Sequence, residues 1–149
     1  MSDKGNNFKT MDFEAELGEL DNIFDFIESC IMNCNLSDYL SQELINEVWT
    51  PVSEACSNVI KHSYAKKKGK LTINCSISAR NNFVITILDH GRSFDPKAIQ
   101  IPDINAPTNQ RKGNGLGYFL MKHFIDVKYY PKESNFNRCN RLTMFRPLS

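Results

Sequence analysis

Two runs in the middle of the chain alternate between apolar and more polar positions: Leu71, Ile73, Cys75 and Ile77 around Thr72, Asn74 and Ser76, then Phe83, Ile85 and Ile87 around Val84, Thr86 and Leu88. A period of two sends each apolar set to one face of a β-strand. Arg80, Asn81 and Asn82 between the runs read as a hairpin turn, which makes the pair antiparallel. Upstream, Leu17, Leu20, Phe24, Ile27, Ile31 and Cys34 recur at spacings of three and four, the stripe of an amphipathic helix. A second stripe, Leu44, Val48, Val52, Ala55 and Val59, predicts another helix that starts with Ser37 as N-cap and ends near segment 61–69. Pro51 falls inside it, and two readings stay open: a kinked helix, or a new helix with Thr50 as N-cap and Pro51 at its first position.

After the hairpin, segment 96–112 has no periodicity and carries Pro96, Pro102 and Pro107; a loop of that length in a compact domain is usually functional, often a lid. Next come GNGLG, a helix through Phe119, Leu120 and His123, and two short strands over 127–130 and 141–146; a first strand is expected near 8–13. Strands and helices do not alternate regularly, so the class is α+β or a mixed-sheet two-layer sandwich rather than a doubly wound parallel fold.

At 149 residues, 41% hydrophobic and 23% charged, the chain fits one domain, 1–149, able to bury a core without disulfides or a metal. It has no run of about 18 apolar residues, and MSDKGNNFKT lacks the features of a signal or transit peptide. The five cysteines sit at scattered apolar positions, as expected of buried thiols in a reducing compartment, and the protein reads as cytoplasmic with no membrane partner. The net charge of +1 conceals an acidic first part, net −10 up to Ile60, and a basic remainder, net +11. That polarity suggests an anionic ligand or partner for the second part, with intrachain neutralisation as the plainer alternative.

Glu54 and Asn58 are four apart and project from one face of the second helix about a turn apart. Asn offers a neutral oxygen of the kind Mg²⁺ accepts, and Glu can act as a general base, although most such pairs are solvated helix surface. Asp89 ends the second strand ahead of Gly91; a carboxylate there can accept from an amino group beside bare backbone that admits close approach, and an Asp-rich turn looks the same. Gly113, Gly115 and Gly117 open a helix, where free N–H groups favour phosphate, and Arg111 and Lys112 stand just before them. Cys30 and Cys34 have no second Cys/His pair with matching spacing, and the run Lys66, Lys67 and Lys68 lacks interleaved aromatics apart from Tyr64, so zinc and direct nucleic-acid binding are both disfavoured.

In order along the chain, VSEACSNVIKHSY (52–64), ILDHGRSFD (87–95) and GNGLGYFLMKHFID (113–126) resemble the N-box and two glycine boxes of the Bergerat-fold ATPases, with the lid between the last two. The resemblance is closest to the RsbW-type branch, the anti-sigma factor serine kinases, which shows Ser-Phe-Asp where many Bergerat proteins carry a further glycine; here that stretch begins at Ser93. It implies a mixed, mostly antiparallel sheet with helices on one face. It implies ATP and Mg²⁺ as cofactors, Asn58 as the Mg²⁺ ligand and Glu54 as the catalytic base. Asp89 would accept from the adenine amino group, Gly91 would admit the base, and Thr143 would support the adenine end. Gly113, Gly115, Leu116 and Gly117 would hold the phosphates, with Arg111 or Lys112 reaching the γ-phosphate. It further implies a protein-serine kinase that phosphorylates a STAS-domain anti-anti-sigma protein, sequesters a sigma factor and forms a homodimer. The rival reading is a nucleotide-dependent protein-binding module without kinase activity.

Overall fold

The computed structural model describes residues 8–65, 67–93, 126–134 and 138–148. Within them run β1 (Lys9–Glu14), a 3-10 turn (Leu17–Glu19), α1 (Leu20–Met32), α2 (Asp38–Asn58), a π-helical turn (Val59–Ser63), β2 (Lys70–Ile77), β3 (Asn82–Asp89), β4 (Asp126–Tyr130) and β5 (Asn140–Pro147). The strands form one sheet in the order β1-β2-β3-β5-β4. All four pairings are antiparallel, so among the described residues the sheet is not mixed. The β2–β3 hairpin forms as the alternation requires, Leu71 opposite Asp89 and Ile77 opposite Phe83. Its loop lies one residue earlier than expected: Asn81 takes a left-handed φ of 61° and its N–H donates to Ser78 O at 2.9 Å, while Asn82 already belongs to β3. Asn tolerates that conformation better than most side chains, which is why it stands at the turn.

The sheet carries both helices on one face. Leu71, Ile73 and Cys75 from β2, Phe83, Ile85 and Ile87 from β3, and Leu142 and Met144 from β5 pack against Ile23, Ile27 and Ile31 of α1 and Leu44, Val48 and Val52 of α2. Each of these large side chains contributes roughly 1.5–3 kcal/mol by leaving water. The α1 stripe is rotated from the expected one. Leu17 precedes the helix in the 3-10 turn and is 48% exposed, whereas Ile23 is fully buried, and Phe24 sits at the flank against the Trp49 ring, centroids 5.0 Å apart. Ser37 caps α2, its Oγ accepting from Leu40 N–H at 3.1 Å. Of the two readings at Pro51, the new helix with a Thr50 cap is not found: α2 is one helix across Pro51, and Ser53 Oγ donates to Thr50 O at 3.0 Å. Pro51 offers no N–H to Glu47 O, but its ring is buried with the α2 core residues. Glu47 ties α2 to the sheet through its carboxylate, which accepts from Arg146 Nε at 2.6 Å.

Candidate functional site

Asp89 closes the alternation of β3: Phe83, Ile85 and Ile87 precede it on the helix-facing side, and it follows them into the interior with 3% exposure. A carboxylate in such a place needs donors. Gly91 N–H and Asn140 Nδ2 both donate to its Oδ1, each at 2.9 Å. Burial raises the Asp89 pKa above the ordinary carboxylate value, and these two hydrogen bonds, with the charges of His90 and Lys132 behind them, work in the opposite direction.

Asn140 is the register partner of Asp89 across β3 and β5 and is wholly buried. Its Nδ2 donates to Asp89 Oδ1 and to Gly91 O at 3.0 Å, and its Oδ1 accepts from Lys132 N–H at 2.8 Å. Ser93 Oγ lies 2.6 Å from Asn140 Oδ1 and 2.7 Å from Glu133 Oε2, so its one proton is shared between them. That bond holds the Glu133 carboxylate below the usual range. Lys132 Nζ adds a bond to Gly91 O at 3.0 Å. The turn 89–93 is thus fixed by β5 and by the segment ahead of it.

Thr143, expected at the adenine end, does not join this cluster. Along β5 the side chains of Asn140, Leu142 and Met144 face the helices, and period two sends Thr143 to the opposite face. There its Oγ1 lies 3.4 Å from Thr86 Oγ1, in a shallow hollow of about 500 Å³ that Asn74, Tyr130, Arg141 and Phe145 also line. Asn140, absent from the sequence reading, is the β5 side chain that bonds Asp89. Counting back in twos from Met144 marks it as a polar residue on the core face.

Gly91 has a second constraint besides access for a base. A Cβ there would stand 2.6 Å from Ser63 O, and Arg92 N–H donates to that same oxygen at 2.7 Å. The end of the π-helical turn and the turn after β3 therefore touch backbone to backbone.

Glu54 and Asn58 lie on the final turns of α2, both half-buried. Asn58 Oδ1 is buried and, among the described residues, has no hydrogen-bond partner; Ser63 Oγ shares that condition. An unpaired buried carbonyl oxygen is costly unless a ligand completes it, and a neutral oxygen is the donor Mg²⁺ accepts beside phosphates and water. The residue fits the ion. Arg111, Lys112, Gly113, Gly115, Leu116 and Gly117, with the expected lid at 96–112, lie outside the described residues. Among the described residues no group of three or more His, Cys, Asp or Glu is placed to hold a metal, and no helix is long and apolar enough to cross a membrane. Cys30, Cys34, Cys56, Cys75 and Cys139 are buried and in no disulfide among the described residues, and burial pushes Cys56 up to about 12, far from thiolate chemistry.

Two helices on one face of an antiparallel sheet are the architecture of the Bergerat fold, with Glu54 and Asn58 at a helix end and the buried Asp89 at a strand end. The family model for the histidine kinase-like ATPase domain matches residues 13–145, and the chain belongs to that family. Among curated proteins it is similar to the serine-protein kinase RsbW of Bacillus cereus, 31% identical over 86 residues that cover 55% of this chain and 53% of that protein. It is also similar to the RsbW of Bacillus mycoides, 27% identical over 113 residues, 64% of this chain and 70% of that one. The chain thus spans about half the length of the Bacillus cereus relative it matches. The fold is shared with the blue-light activated histidine kinase of Erythrobacter litoralis, TM-score 0.52 at 16% identity over 72% of this chain and 31% of that chain. The histidine kinase domain of that protein gives TM-score 0.52 at 14% identity over 87% and 61%.

Proposed function

We propose that this chain binds ATP with Mg²⁺ and transfers the γ-phosphoryl group to a serine of a small STAS-domain protein, acting as the anti-sigma kinase of a partner-switching module. The observation that carries this reading is the Asp89 carboxylate, buried and held by Asn140 and Gly91 through Oδ1 alone among the described residues, in a chain of this family. Oδ2 is the atom that would accept from an adenine amino group. Asn58 would hold Mg²⁺ through Oδ1, and that ion, when bound, supplies positive charge against the phosphate oxygens. Glu54, one turn earlier on α2, would take the proton from the attacking serine hydroxyl. Gly113, Gly115, Leu116 and Gly117 would offer backbone N–H groups to the phosphates, with Arg111 or Lys112 at the terminal one. Transfer of this kind depends mainly on positioning and electrostatics. Between transfers the protein would sequester a sigma factor, and a homodimer is part of the reading.

The rival reading, a binding module without transfer, would be favoured if Pro51, one turn before Glu54, broke the helix and moved Glu54 out of line with Asn58. The unbroken α2 keeps Glu54 and Asn58 four residues apart on one helix, which supports the kinase reading over its rival. The test is incubation of the wild type and Glu54→Gln with Mg-ATP and a STAS-domain protein from the same organism, followed by the mass of that protein. The wild type is expected to add one phosphate to a serine, and Glu54→Gln to slow that step by about 10²-fold or more. Equal rates would exclude Glu54 as the base, and an unmodified substrate with the wild type would favour the module.

A further inference from the structure

The helix that carries Glu54 and Asn58 and the turn that carries Asp89 meet at the segment Ser63–Tyr64. α2 does not end as an α-helix: the π-helical turn Val59–Ser63 is closed by Tyr64 N–H donating to Val59 O at 3.0 Å. Such a turn holds one residue more than an α-helical one and re-aims whatever follows, and it recurs at functional sites. Here it brings Tyr64 to the exit of β3. The Tyr64 Oη accepts the N–H of His90 at 2.8 Å and donates its own proton to Lys70 O at 2.8 Å. His90 is the residue between Asp89 and Gly91.

The ring is held as firmly as the hydroxyl. Gly69 lies so close to it that a Cβ would stand 2.3 Å from ring atom Cε1, and the chain reverses directly after Tyr64 at Ala65, φ 51°. From the same segment Ser63 O takes Arg92 N–H at 2.7 Å, and Ser63 packs against Gly91. The N–H groups of residues 90, 91 and 92 therefore each have a fixed acceptor: Tyr64 Oη, Asp89 Oδ1 and Ser63 O. Two of the three acceptors come from the end of the N-box helix. Phenylalanine would fill the same space against Gly69 and leave the His90 N–H without its acceptor, so the hydroxyl has a task separate from packing.

We propose that Tyr64 is a positioning residue of the nucleotide site, its hydroxyl fixing the His90 peptide so that Asp89 Oδ2 is presented to an adenine amino group. The proposal rests on the nucleotide reading above and adds to it a residue that sets the preference for adenine over guanine. With His90 N–H anchored, the Asp89–His90 peptide is held in one orientation, Gly91 N–H stays on Oδ1, and the free carboxylate oxygen keeps one direction. Without the anchor the carboxylate samples orientations in which a guanine carbonyl is penalised less and an adenine amino group is rewarded less.

The test is Tyr64→Phe, read in two ways. Calorimetric titration with ADP and with GDP gives the affinities, and amide hydrogen exchange on the nucleotide-free protein gives protection at His90. Loss of one neutral hydrogen bond predicts an ADP affinity about threefold to tenfold lower, a narrower ADP-to-GDP ratio, faster exchange at His90, and unchanged protection along the β2–β3 ladder. If the wild type binds ADP and Tyr64→Phe binds it equally with the same ratio, the proposal is overturned and the nucleotide reading stands. If Tyr64→Phe also loses ladder protection, the hydroxyl is structural and the proposal is overturned. If the folded wild type has no affinity for ADP, both fall together.

Discussion

A methyl group at position 91 would stand 2.6 Å from the carbonyl oxygen of Ser63 and 2.7 Å from its carbonyl carbon, both backbone atoms with little freedom to move aside. Gly91→Ala is therefore expected to lower stability by about 1–3 kcal/mol, seen as a lower urea midpoint at unchanged slope. A tolerated methyl would mean that the Ser63–Gly91 contact is loose. Asp89, two residues earlier, works against the fold in another way. Burial raises its pKa, so the folded chain holds the proton more tightly than the unfolded one. The stability from that proton is fully present below the ordinary carboxylate value and is lost as pH rises through the raised one. At neutral pH the ionised carboxylate is a cost, and Asn in its place would keep an Oδ1 for Gly91 N–H and Asn140 Nδ2 without the charge. Asp89→Asn should then unfold at the same temperature or higher at pH 7, with its advantage shrinking as the pH falls through the raised pKa. A buried acid that costs stability fits the adenine-accepting role proposed for Asp89.

The elements were legible where local physics decides them and less so where tertiary contacts do. Alternation in 71–77 and 83–88 fixes the hairpin because period two has one solution for strands with a buried face, and Ser37 reads as a cap because its hydroxyl satisfies an orphan N–H. Spacing alone puts Leu17 in the α1 stripe; it does not reveal that a 3-10 turn precedes the helix and takes Leu17 out of phase. The π-helical turn Val59–Ser63 is not marked by the spacing of its residues, and its end is tied to a distant segment, Ser63 O accepting Arg92 N–H from the turn after β3. The family pattern points to Thr143 but does not say which face of β5 it occupies, and one step of register moves a side chain through the sheet. Just past the π-helical turn, Ala65 adopts φ 51°, a conformation in which a Cβ is strained. Ala65→Gly should therefore raise stability by about 1 kcal/mol, measured by urea unfolding, and a loss would show that Ala65 makes contacts worth more than the strain.

Among the described residues the charge separates in part by layer. α1 and α2 carry much of the acidic excess, while β2 and β5 bring Lys70, Arg141 and Arg146 on the sheet side. The Glu47–Arg146 pair joins the layers directly, so the intrachain neutralisation allowed by composition is at least partly real. An exposed or half-exposed pair of this sort adds no more than about 1 kcal/mol, and the stability comes from the apolar face between the layers. What the layered fold provides is a fixed meeting of the segment after α2 with the β3 end, where Ser63, Tyr64, Asp89, Gly91 and Asn140 are joined by hydrogen bonds and backbone contact. The measurement that tests this most directly is calorimetric titration of Mg-ATP and Mg-ADP into the wild type and Asp89→Asn. Saturable binding by the wild type, lost in an Asp89→Asn protein that remains fully folded, is the predicted result. Absence of binding by the folded wild type, or equal binding by the two, would contradict the assignment of this site to a nucleotide.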